Sequence, residues 1–298
     1  MLLKKEIENQ GLLIDKFSNK NFWESFSPDL EIEKKKLDYK INFSTKEKKE
    51  NINNVIYQGY THIKNPGLKI SLDPLKRTIN ALAELNLPPV FIFAYDELWC
   101  LQYQINNFMK KLLNEDYYQL PDFWAWNVRP GQAGWTPHRD KSGGTLYENN
   151  KPKSITVWIP LTKAVPDNSC MYILPANHDK FYNLEKPFSL DYGFPGNLTD
   201  IRALPAEPKD VLIWTQHVLH WGSNSNAKHI FEPRISVAYE FQRSDVSPYN
   251  NPLINPREIP SFEKRMWLIA KQILQYTHMY GFKDDLVNLA NLLIKEFD

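Results

Sequence analysis

The chain has 298 residues, 42% of them hydrophobic and 13% aromatic, enough for one sizeable core. A net charge of +1 gives no electrostatic case for nucleic acid or an anionic membrane surface. Two cysteines, Cys100 and Cys170, make neither a disulfide framework nor a zinc-type pattern and fit a reducing cytosol. Met1 to Glu6 lacks a signal-peptide apolar stretch and no run reaches a membrane span, so a cytoplasmic protein is expected.

Residues 1 to 60 are rich in Lys, Glu and Asn, with Phe17, Phe22, Trp23 and Phe26 scattered through them, and read as short helices or a wrap around the core. Asp73 as cap, Pro74 at the first position, and Leu75, Ile79, Leu82 and Leu85 at helical spacing predict a helix ended by Pro88-Pro89. Val90 to Phe93 reads as a short strand. Asp96 then caps an expected second helix with Leu98, Leu101, Ile105, Phe108 and Leu112 on one face. From Pro121 the period changes to two. Phe123 to Val128, Ser154 to Leu161, Cys170 to Leu174, Asp210 to Thr215 and Arg234 to Gln242 are short runs separated by turn residues, which predicts an antiparallel barrel or jelly roll. Ser261 caps an expected helix over 262–280 that Gly281 stops, and a last helix runs from Asp284 to Phe297. The expected organisation is a single domain over 1–298: a helical or irregular flank (1–120), a β core (121–243) and C-terminal helices (252–298).

Chemistry concentrates in Gly131-Gln132-Ala133-Gly134-Trp135-Thr136-Pro137-His138-Arg139-Asp140. In an extended segment residues i and i+2 share a side, so the His138 imidazole and the Asp140 carboxylate converge. Such a pair is two thirds of the facial triad that holds non-haem Fe(II) with open positions. A third ligand must come from another strand. His217 and His220 follow the strand ending at Thr215, but their spacing of three points them to opposite sides, so one at most can serve.

The ordered set of motifs resembles the phytanoyl-CoA dioxygenase family of Fe(II)/2-oxoglutarate-dependent oxygenases. The matching pieces, over roughly 121–243, are Thr136 to Asp140, Ser154 to Leu161, Pro166 to Pro175, Asp210 to Trp214, Leu219 to Ser223 and Arg234-Ile235-Ser236. The resemblance implies a mainly β fold with flanking helices and a double-stranded β-helix (jelly roll, cupin-like) core. It implies that His138, Asp140 and His220 hold iron and that Arg234 receives the distal carboxylate of 2-oxoglutarate. A planar guanidinium suits a carboxylate, and Ser236, two residues on, and Thr156 are candidate hydroxyl partners. Ser169 and Asn177 depart from the family's usual Gly and Ser. His178 keeps its place there, with a structural role expected.

The implied activity is oxidation of a small metabolite, an amino acid or biosynthetic intermediate, using O2 and releasing succinate and CO2. Because Asp140 is present, hydroxylation, desaturation or ring closure is favoured over halogenation. Trp135, Arg139, Trp158 and Trp221 are candidate substrate contacts, with Trp124, Trp126 and Lys141 nearby. Lys141 to Lys153 is either a lid or a plain surface loop. A peptide hydroxylase and a non-catalytic jelly-roll binding protein are the alternatives. His138-Arg139-Asp140 also spells a kinase tripeptide, but Thr145 stands where that loop needs Asn.

Overall fold

In the computed structural model, residues 10–141, 143–184, 187–228 and 232–297 are described. Met1 to Glu6, and Ser142 in the expected lid, lie outside them. So do residues 229–231 of the loop before Arg234. The described residues group into two compact units.

The larger unit, Lys40–Lys69 with Gln104–Asn255, carries all the strands that are described: β1 (Tyr60–Ile63), β2 (Tyr117–Val128), β3 (Ser154–Pro160), β4 (Met171–Leu174), β5 (Arg202–Leu204), β6 (Val211–Thr215), β7 (Leu219–Gly222) and β8 (Arg234–Arg243). They form two antiparallel sheets, ordered β1-β6-β3-β8-β2 and β5-β4-β7. β3 sits mid-sheet between β6 and β8 and is buried along its whole length, the polar Ser154 and Thr156 included. Trp158, Leu212, Trp214 and Ala238 of the larger sheet pack in one cluster with Cys170, Met171, Ile173 and Leu204 around the smaller one. This is the jelly-roll core expected from the period-two runs, flanked by helices. β1 and β5 were not legible as strands.

The helices, in chain order, are α1 (Gln10–Phe17), α2 (Lys20–Phe26), α3 (Thr45–Gln58), α4 (Leu72–Glu84), α5 (Asp96–Tyr103), α6 (Asn106–Leu112), α7 (Phe262–Tyr280) and α8 (Asp284–Phe297). α3 opens on a reciprocal capping box between Ser44 and Glu47. The smaller unit takes in the described residues of Met1–Tyr39, Ile70–Tyr103 and Pro256–Asp298. In it the Asp96 carboxylate accepts from the backbone N–H groups of Glu33, Lys34 and Lys35 and from Arg265 on α7 at 2.6 Å. Ser261 caps α7 through the Lys264 N–H, and Gly281 ends it at φ 57.

Three local expectations are corrected. Ser71, not Asp73, precedes α4, and Asp73 instead lies in its first turn beside Lys76 at 3.1 Å. Val90 to Phe93 is part of a buried 3-10 turn, Pro89–Ala94, because Pro89 sets a helical φ at its start. The expected second helix is two, α5 and α6. Between them the Gln104 carbonyl accepts from Ile41 N–H at 2.8 Å, and its side chain bonds both backbone groups of Lys69.

Candidate metal centre

The segment between β2 and β3 runs antiparallel to β7 and bridges to it at His138 and His220. His138 N–H donates to the His220 carbonyl and His220 N–H to the His138 carbonyl, each at 3.0 Å. That bridge sets the two imidazoles side by side, ring centroids 4.3 Å apart. Asp140, two residues beyond His138, turns to the same side as the alternation requires. Its Oδ1 lies 3.4 Å from Nε2 of His138 and 3.4 Å from Nε2 of His220. One ligand atom from each of the three lies within 4.8 Å of the others.

Each imidazole is oriented from behind: Nδ1 of His138 pairs with the Thr136 carbonyl at 2.7 Å, and Nδ1 of His220 with the Val218 carbonyl at 3.0 Å. Both Nε2 atoms are thereby presented to the same point. On Asp140 the other oxygen, Oδ2, accepts from the Thr156 hydroxyl at 2.6 Å and the Trp214 indole N–H at 2.9 Å. One carboxylate oxygen is thus held by the protein while the other faces the imidazoles. Trp214 also packs its ring 4.7 Å from that of His220. In the sequence only the parity of Trp214 on β6 points to this role.

The donor set fits a divalent metal. His138 Nε2 is buried, and its contact with Asp140 Oδ1 is long, 3.4 Å, as suits two donors that share a metal ion. Burial holds the His220 imidazole down at about 4, against the pull of Asp140, so it is neutral near pH 7, the form a metal needs. Burial alone would raise the Asp140 carboxyl. The positive charge available on His220 and His138, and the His138 and Thr156 hydrogen bonds, outweigh it and hold the group well below the carboxylate range. For His138 the burial penalty is exceeded by its contacts with Asp140, and its pKa is raised. His217 is not in this cluster: it sits buried in the turn before β7, with Nδ1 on the Tyr182 carbonyl at 3.0 Å.

Arg234 opens β8 and is buried. Its Nε donates to the Ser169 carbonyl at 3.0 Å, Nη2 to the Ser169 hydroxyl at 3.3 Å and Nη1 to the Ser236 hydroxyl at 2.7 Å. Trp158 lies under the guanidinium, 5.8 Å from ring centroid to Cζ. Arg234 and Ser236 therefore come together as the sequence spacing requires. Thr156 does not join them: its hydroxyl serves Asp140.

The other candidates divide. Trp135 lies edge-on to His138 at 5.3 Å and to Trp126 at 5.7 Å. Arg139 points elsewhere, into a buried ion pair with Asp179 at 2.8 Å and a hydrogen bond to the His217 carbonyl. Trp221 stacks on Tyr172 at 5.9 Å, and its neighbour His220 takes the opposite face of β7. Lys141 pairs with Glu240 at 3.1 Å, and Gln216 also donates to Glu240. Burial, reinforced by Asp122 and Asp140 and opposed by Lys141, lifts the Glu240 carboxyl to about 8. His178 lies 3.3 Å from Asp200, a surface contact. The expected lid closes as a small hairpin, Tyr147 N–H to the Lys151 carbonyl at 2.9 Å, and Tyr249 bonds the Gly144 carbonyl at 2.7 Å.

The phytanoyl-CoA dioxygenase (PhyH) profile matches residues 74–229, which include His138, Asp140 and His220. The chain belongs to the phytanoyl-CoA dioxygenase family. It is thus a non-haem iron, 2-oxoglutarate-dependent enzyme of the oxygenase type. Arg234 and Ser236 fall beyond the matched residues, so their assignment rests on geometry. No curated protein matches the sequence. Similar solved structures include the non-haem α-ketoglutarate-dependent epimerase SnoN of nogalamycin biosynthesis (12% identity, 72% of this chain and 95% of that one, TM-score 0.46). The carbocyclase SnoK of the same biosynthesis matches at 16% identity over 72% of this chain and 97% of that one, TM-score 0.46. HygX of Streptomyces hygroscopicus with iron bound matches at 13% identity over 70% and 90%, TM-score 0.48. No helix among the described residues is long and apolar enough to cross a membrane.

Proposed function

We propose that this family member hydroxylates an unactivated C–H bond of a small molecule, with His138, Asp140 and His220 holding Fe(II) and Arg234 with Ser236 binding the distal carboxylate of 2-oxoglutarate. The observation that carries the reading is the convergence of three ligand atoms, one from each side chain, within 4.8 Å of one another. Iron and 2-oxoglutarate, when bound, supply with O2 the oxidising power, and release succinate and CO2. The protein's own part is orientation. Thr136 and Val218 fix the imidazoles, and Thr156 and Trp214 fix the carboxylate so that it binds through one oxygen. A facial set of three ligands leaves the remaining positions to co-substrate and O2.

For the substrate, Trp126 and Trp135 offer a half-buried aromatic wall beside His138. The Lys141–Glu240 pair, adjoining Asp140, keeps 21% and 14% of its side-chain surface open. A small molecule with an apolar body and a polar or charged group suits that combination. Arg139, already paired with Asp179, is not a substrate anchor in this reading. The test is a metabolite extract incubated with protein, Fe(II), 2-oxoglutarate and O2, read by mass for a gain of one oxygen. Wild type should convert one component and Asp140→Ala none; a product formed equally by both would refute the proposal.

A further inference from the structure

Ser169 is a conformational exception with a use. It sits at φ +75 in the left-handed region, where glycine is the unstrained choice, yet it is fully buried. The turn around it does not need the hydroxyl. Asn168 closes that turn, accepting from Val165 N–H at 2.7 Å and donating to the Lys163 carbonyl at 2.8 Å, and Cys170 N–H reaches the Val165 carbonyl at 2.9 Å. The Ser169 oxygens go instead to Arg234: carbonyl to Nε, hydroxyl to Nη2.

Two glycines make the room. A Cβ on Gly134 would lie 2.6 Å from the Ser169 hydroxyl oxygen, closer than real Cβ atoms come. A Cβ on Gly222 would lie 3.1 Å from that same oxygen and 3.3 Å from Arg234 Nη2. Three separate segments therefore meet around one hydroxyl and one guanidinium. A buried residue held in an unfavourable backbone region, with both its oxygens accepting from a binding arginine, is the pattern expected of a functional constraint.

The guanidinium is planar, and its Nε–H and one Nη2–H lie on the same edge. Ser169 takes that edge, Ser236 meets Nη1 and Trp158 lies against the face. We propose that Ser169 is a positioning residue for the co-substrate: by gripping the Nε/Nη2 edge of Arg234 it fixes the roll of the guanidinium, so that the Nη1/Nη2 edge and Ser236 present to the distal carboxylate of 2-oxoglutarate. The inference rests on the reading of Arg234 as the co-substrate anchor. Preorganisation of this kind raises affinity for a dicarboxylate and is indifferent to a 2-oxo acid with no distal carboxylate.

That asymmetry supplies the test. Anaerobic protein loaded with Fe(II) is titrated with 2-oxoglutarate and, separately, with pyruvate, following the metal-to-ligand charge-transfer absorption of the chelated 2-oxo acid. Ser169→Gly relaxes the backbone and deletes the hydroxyl; Ser169→Ala keeps the Cβ and deletes only the hydroxyl. Both should weaken 2-oxoglutarate about tenfold while pyruvate stays within about twofold of wild type. Unchanged 2-oxoglutarate affinity in both variants, or equal weakening of both acids, would overturn the role of Ser169. No charge-transfer band in the wild type with either acid would overturn the reading of the metal site beneath it.

Discussion

Two aspartates, Asp96 fully buried and Asp140 partly so, show what separates scaffold from site. Asp96, in the smaller unit, is closed by the chain: Oδ1 takes Glu33 N–H at 2.8 Å and Arg265 Nη2 at 2.6 Å, Oδ2 takes Lys34 and Lys35 N–H at 2.8 and 2.9 Å. Asp140, in the larger unit, is closed on one oxygen only. Its Oδ2 accepts from Thr156 and Trp214, whereas Oδ1 faces two Nε2 atoms at 3.4 Å. A carboxylate with all its donors ties segments together. One left open toward two imidazoles waits for a charge from outside the chain.

The contrast breaks most visibly through substitution at the open carboxylate. Asp140→Ala should lower Fe(II)-dependent succinate formation from 2-oxoglutarate by about three orders of magnitude or more, in a metal-free protein that still folds cooperatively. Asp96→Ala should do the reverse kind of damage. It leaves Arg265 buried and without its carboxylate, at a cost of about 3–5 kcal/mol in stability, read from the denaturant midpoint. If Asp96→Ala proved as stable as wild type, the distinction between the two carboxylates would lose its structural half.

Smaller effects sharpen the comparison. Thr156→Val and Trp214→Phe each remove one donor from Asp140 Oδ2 and should weaken Fe(II) binding about 10- to 100-fold, measured by competition with a chelator. Unchanged affinity in both would mean that the protein does not set the orientation of the carboxylate. The smallest effect is on acid stability. Burial alone would raise the Asp96 carboxyl, but the backbone N–H of Lys35 and the charge of Arg265 outweigh it and set the folded pKa below the usual value. Its contribution is therefore fully present above the unfolded value, about pH 4, and is lost as pH falls through the lower folded value. The gap in thermal midpoint between wild type and Asp96→Asn should accordingly narrow below pH 4; a gap that widened there would reverse the sign.

Much of the site was legible because it depends on parity. His138 and Asp140 share a side of an extended segment, and Arg234 and Ser236 share a face of β8, whatever the register between strands. The same rule turns Arg139 away, between two residues whose ligand atoms converge with His220, and it lies paired with Asp179. Register was not legible, and that is why Thr156 was placed beside Arg234. On the paired strands Ser236 stands opposite Pro160 and Thr156 opposite Glu240. Four residues of strand, about 13 Å, thus separate the two hydroxyls. The apolar run from Val90 to Phe93 was ambiguous for another reason: a fully buried turn of helix and a buried strand have the same composition over four residues. β1, only Tyr60–Ile63, alternates in burial, but four residues after a Lys- and Asn-rich helix give too short a pattern to read.

The central claim, that one iron is held jointly by His138, Asp140 and His220, is tested most directly by metal stoichiometry. Equilibrium dialysis of Fe(II) under anaerobic conditions should give one equivalent per chain for the wild type, and substoichiometric binding at the same free Fe(II) for each of His138→Ala, Asp140→Ala and His220→Ala. Full, equally tight binding by any one of these variants in its folded form would contradict it.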